Sequence, residues 1–181
     1  MTIAALWLPI LVTAIVIFIA GAVIWMVMPW HKANWRRVGD EEAVRAALKG
    51  NEPGVYPVPF AMSNEDAANP EIIAKFEEGP VAFVTVLPSG KQTMGSKLAI
   101  NFGYNLLVAV LCAYMVSRTV AVNAGYLEVF RVAGTTAFIA YGVAYIQESI
   151  WFGRPWSMTG KTFLDALIYA LLTGGVFGWL A

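Results

Sequence analysis

Residues 3–37 read IAALWLPILVTAIVIFIAGAVIWMVMPWHKANWRR, and the change of character at Met28 decides the fold. From Ile3 to Met28 there are 26 residues without an ionisable side chain, more than the ~20 a helix needs to cross a hydrocarbon core of ~30 Å. Tilting absorbs the excess. Pro9 lies close to the helix start, where it is tolerated, and Pro29 meets a helix that is ending. Trp25, Trp30 and Trp35 mark an interfacial aromatic belt. A cleaved secretory signal would need a positive start, a shorter apolar core and a small-residue cleavage site. A chain opening Met-Thr-Ile-Ala reads instead as an uncleaved anchor.

Beyond Met28 the composition inverts. As far as Lys97 the chain carries eight Lys or Arg and nine Asp or Glu, so this stretch is polar and lies outside the membrane. Asp40 is a good N-cap, Glu41 and Glu42 suit a first turn, and Lys49-Gly50 makes a basic last turn with a glycine stop, which predicts a short surface helix over 40–48. Pro70–Glu78 is a second short helix candidate. VAFVTV, between Pro80 and Pro88, is the best strand candidate. PGVYPVPF suits an edge or a loop, and either it or a second copy of the chain is expected to pair with that strand.

Three more apolar segments follow, at about 98–117, 126–147 and 162–180, joined by short loops. The expected fold is therefore all-α: four transmembrane helices in an antiparallel bundle with a small cytoplasmic α/β insert between the first and second. The expected units are 1–29, 30–97 and 98–181. Sidedness follows from charge. The long loop and the SIWFGRPWSMTGK loop fall on one side and hold ten of the 12 Lys and Arg, leaving Arg118 and Arg131 on the other. The positive-inside bias makes the loops cytoplasmic and both termini periplasmic, in a bacterial inner membrane.

Ionisable residues within spans are functional candidates by default. Here they form two rims. Glu128 and Arg131 lie at the outer end of the third helix, Glu148 about 25 Å away at its inner end. Asp165 and Lys161 start the fourth helix at the inner side, with Arg154 in the loop before it, Asn101 and Asn105 near the inner end of the second, and His31 beside the first. For Arg131 the expected role is structural, by pairing with Glu128 or snorkelling. For Asp165 with Lys161 it is helix-start electrostatics. His31 is expected to anchor at the interface, bonded to a headgroup, to water or to a rim carboxylate. Along the third helix Ala133, Ala137, Ala140 and Ala144 form a small-residue stripe opposite a face of Glu128, Arg131, Thr135, Phe138, Gly142 and Tyr145. Gly174 and Gly178 form a GxxxG pair in the fourth. Both patterns allow close helix approach within the chain or between copies.

Several chemistries are excluded. One histidine rules out a bis-histidine haem, and one cysteine, Cys112, rules out iron–sulfur, structural zinc and disulfide frameworks. No phosphate loop or cofactor fingerprint is present, so no catalytic residue, cofactor or metal is expected. Zero net charge gives no nucleic-acid footprint. Basic residues just inside the first helix favour anionic lipid headgroups.

The run SIWFGRPWSMTGKTFLDALIYALLTGGVFGWL, together with the MPWHK exit of the first span, resembles an uncharacterised family of small bacterial four-helix integral membrane proteins known only as a domain of unknown function. EEAVRAAL and KFEEGPVAFVTV resemble other bacterial membrane proteins of this size. The resemblance implies a four-helix membrane fold and transfers no activity. The function expected is that of a non-enzymatic homo-oligomeric or accessory subunit held among membrane lipids, with its cytoplasmic loop as contact module. A small oligomeric transporter or channel is the alternative class, and a membrane enzyme or lipid-binding protein is the third.

Overall fold

A computed structural model describes residues 2–91 and 93–181. The chain divides into two compact units, a helical unit of residues 1–35 and 93–181 and an insert of residues 36–92. Residues 30–35 and 93–97, expected in the insert, thus belong with the long helices.

In the helical unit a 3-10 turn, Ile3–Leu6, leads into α1 (Trp7–Met26), and a second 3-10 turn, Pro29–Asn34, follows it. α1 is apolar all round, and the 3-10 turn that leads into it is capped by Thr2, whose hydroxyl accepts from the Ala5 amide. The four segments long and apolar enough to cross a membrane are Ile3–Met26, Met94–Thr119, Tyr126–Trp151 and Trp156–Leu180. The first ends two residues before the expected Met28, and each of the other three begins or ends several residues beyond the expected span, because helix continues through polar residues at the ends.

The third of these segments is not one regular helix. It comprises α6 (Tyr126–Phe138), a π-turn at Ile139–Val143 and α7 (Tyr145–Trp151), numbered after α5 (Met94–Thr119) and before α8 (Trp156–Leu180). α6 and α8 pack in opposite directions. A Cβ on Gly134 would meet the Ala170 carbonyl at 3.1 Å, one on Gly174 the Phe130 carbonyl at 2.8 Å and one on Gly178 the Tyr126 ring at 2.8 Å. The GxxxG pair is therefore consumed inside one chain. Ala133 and Ala137 are fully buried as well, with the Cys112 thiol of α5 reaching the Ala133 carbonyl at 3.5 Å. The expected four-alanine stripe ends there: Ala140 is half-buried and Ala144 exposed. A π-turn inserts a residue and so rotates everything after it by about 100°. The same turn brings Gly142, expected on the opposite face, against the Ala166 side chain of α8.

The insert holds α2 (Glu41–Leu48), β1 (Gly54–Val58), α3 (Asn64–Ala68), α4 (Pro70–Glu78) and β2 (Ala82–Val86). β1 and β2 pair antiparallel, Gly54 opposite Val86 and Val58 opposite Ala82. The partner of VAFVTV is thus PGVYPVPF of the same chain. A two-stranded sheet has only edge strands, so Pro57, which has no N–H to give, is tolerated. Asp40 caps α2 through the Ala43 amide, Ser63 and Asp66 form a capping box on α3, and Asn69 caps α4 with Pro70 at its first position. No described residue between 36 and 91 is buried.

Candidate functional site

The most organised polar cluster joins the exit of α1 to α8. Pro29 starts the 3-10 turn, in which residues three apart eclipse each other, so the Asn34 amide comes up against the His31 ring. On α8, Lys161 and Asp165 are four apart and share a face. Because α8 begins at Trp156, Asp165 lies in its third turn. The expected helix-start role for Asp165 is corrected accordingly: dipole stabilisation falls off within the first turn.

His31 Nε2 stands 2.8 Å from Asp165 Oδ2, and the side chains are only 4% and 6% exposed. Asp165 Oδ1 accepts from the Trp30 indole at 3.2 Å. Asn34 Nδ2 lies 3.1 Å from His31 Nδ1, and Lys161 Nζ donates to Asn34 Oδ1 at 2.6 Å. The Trp25 ring stacks on the imidazole at 4.0 Å and 5°. These contacts have one direction. Lysine can only donate, so the Asn34 oxygen accepts and its NH2 faces His31; Nδ1 then accepts, and Nε2 carries the hydrogen given to Asp165. No family model, curated protein or solved structure matches this chain. What the cluster does has to be argued from its geometry.

Both imidazole nitrogens are spent on protein partners, so His31 offers neither a free base nor a free metal ligand in this arrangement. Among the described residues no group of three or more His, Cys, Asp or Glu is placed to hold a metal ion. The cluster is a clasp that ties residues 134 apart in sequence.

The remaining rim residues are dispersed. Asn105 is buried and accepts from the Tyr141 hydroxyl at 3.1 Å, in the middle of the π-turn, while the Tyr104 hydroxyl donates to the Ala140 carbonyl at 3.0 Å. Tyr141 also meets Tyr104 and Tyr169 edge to face, at 5.6 and 5.1 Å. Arg154 lies with its guanidinium 4.4 Å over the Tyr145 ring and donates to Thr162 at 2.8 Å. Beside it the Ser149 and Thr159 hydroxyls, both buried, are 2.6 Å apart and close the α7–α8 connection. Asn101, Glu128, Arg131 and Glu148 are exposed. Among the described residues no ion pair joins Glu128 to Arg131, so the expected pairing of Arg131 is not present. The sequence had named His31 and the Asp165–Lys161 pair as separate rim residues and Trp25 and Trp30 as interfacial aromatics; Asn34 completed the clasp, and its only signal was its position three residues after a single histidine.

Proposed function

We propose that this chain is a multi-pass protein of the bacterial inner membrane that works without catalysis, as a homo-oligomeric or accessory subunit whose insert is the contact module. On this reading the insert is cytoplasmic and both termini are periplasmic. One observation carries it: the insert buries none of its described residues, yet Val55, Phe60, Met62, Val81 and Leu87 are all more than half exposed. Ordering such a segment costs conformational entropy that burial within it does not offset. Exposed apolar side chains gathered on one module mark an interaction surface. The basic exit of the first span supports the cytoplasmic placement, and the closed hydrogen bonding of His31 supports a structural rather than chemical role for the rim.

The test is the native mass of the full chain after mild detergent extraction, with reporters fused after Ala181 and within residues 50–70. The expected result is a mass above one chain, from further copies or a second subunit, with the first reporter periplasmic and the others cytoplasmic. A monomer in native membranes, shown by crosslinking, overturns the subunit reading. Reversed reporters overturn the sidedness.

A further inference from the structure

An apolar groove on the insert is lined by Ala61, Ala67, Ile72, Ile73, Phe76 and Glu77. Ile73 and Phe76 are each 41% exposed, and Phe60 and Met62, just before α3, are 65% and 73% exposed. Its surroundings are acidic. Between residues 60 and 80 stand Glu65, Asp66, Glu71, Glu77 and Glu78, against Lys75 alone. Hydrogen bonds from the Ser63 side chain and from the Ser63 and Met62 amides hold the Asp66 carboxyl below its ordinary value, so it stays charged. At 100° per residue, Lys75 points about 130° away from the centre of the face formed by Ile72, Ile73, Phe76 and Glu77. The insert as a whole has six Lys or Arg and nine Asp or Glu, a net −3.

An occupant of this groove has to be apolar and basic together. An anionic lipid surface fails on charge. The chain itself carries a segment of the required kind: Trp35-Arg36-Arg37-Val38, outside any helix or strand, with extended backbone at Trp35. Trp35 is 77% and Val38 49% exposed, so both apolar side chains are open to a partner.

We infer that residues 35–38 of a second copy occupy the groove between α3 and α4, Trp35 and Val38 against Ile73 and Phe76, and Arg36 and Arg37 toward Glu77 and its acidic neighbours. Exchanged reciprocally, the contact closes a two-fold dimer. This rests on the reading of the insert as contact module and names its partner.

The experiment measures self-association of the full-length chain in nanodiscs of uncharged lipid. The variants are Arg36→Glu with Arg37→Glu, Glu77→Lys, the combination of all three, and Phe76→Glu. Every substituted side chain is exposed, and unchanged helical circular dichroism checks that each variant folds. The expected result is a dimer that weakens about tenfold or more with the double arginine reversal or with Phe76→Glu. Raising salt from about 0.05 to about 0.5 M weakens it too, and the combined charge swap restores part of the loss. Reversals that leave the dimer unchanged, or a swap without any rescue, overturn the inference. A wild-type chain that is monomeric but co-purifies with a different subunit overturns it while leaving the subunit reading standing; a monomer with no partner ends both.

Discussion

Because Lys161, Asn34, His31 and Asp165 form a hydrogen-bonded chain with a single direction, each removal leaves a different group stranded. Asp165→Ala deprives the Nε2–H of His31 and the indole N–H of Trp30 of their acceptor in a site with almost no access to water. Leaving a buried donor without its acceptor costs about 1–3 kcal/mol, whereas replacing both partners by apolar groups is often close to neutral. Asp165→Ala is therefore expected to lower the stability of the helical unit by about that much. The double variant His31→Phe with Asp165→Leu, which keeps an aromatic ring under Trp25, should recover most of the loss. Unfolding followed in detergent measures both. If the double variant is no more stable than Asp165→Ala, the pair is not the source of the clasp's strength.

At the scale of elements, the α6–α8 contact depends on missing side chains. Gly174 lies against both the carbonyl and the ring of Phe130, 2.8 and 2.9 Å from where a Cβ would stand, while a Cβ on its neighbour Gly175 would come no closer than 3.8 Å to the Tyr126 hydroxyl. Gly174→Ala is expected to destabilise the helical unit by about 1–3 kcal/mol through overpacking against backbone that cannot step aside. Gly175→Ala should be neutral or slightly stabilising, since alanine is the better helix former. The pair serves as its own control in a thermal or denaturant titration, and equal effects would mean that the helices do not approach as described. Close approach was legible in the GxxxG spacing and the alanine stripe, but the partner was not: the same small residues suit a neighbouring copy as well as α6. The π-turn was not legible either. No proline or glycine pair announces it in IAYGV, and it arises where Tyr104 and Asn105 take up polar groups of the third segment.

For the molecule as a whole, what the sequence makes visible are properties that do not depend on tertiary partners. Four apolar runs were plain from their length and scarcity of charge, and the short helices over 40–48 and 70–78 and the VAFVTV strand from their punctuation by Asp40, Gly50 and the prolines, whereas α3 with its Ser63 cap was not expected. The His31–Asp165 contact was hidden because it spans 134 residues and because α8 begins six residues before the expected Thr162. This division also predicts unequal stability. The helical unit has a core in which Ala14, Ala113, Val116, Ala133, Ala137 and Phe177 lie fully inside, and the described residues of the insert include no buried one. Regions with few buried contacts open at the low end of the stability range, well before the rest. Limited proteolysis of the full chain is therefore expected to cut within 36–92 first, and amide exchange in β1 and β2 to run orders of magnitude faster than in the middle of α5 and α8. Replacing 36–92 by a flexible Gly/Ser linker should leave the helical unit folded, with the protection of α8 around Asp165 unchanged, because every contact of the clasp lies outside the replaced stretch. If the linker chain loses that protection, the insert contributes to the helical unit's stability and is more than a contact module attached to it.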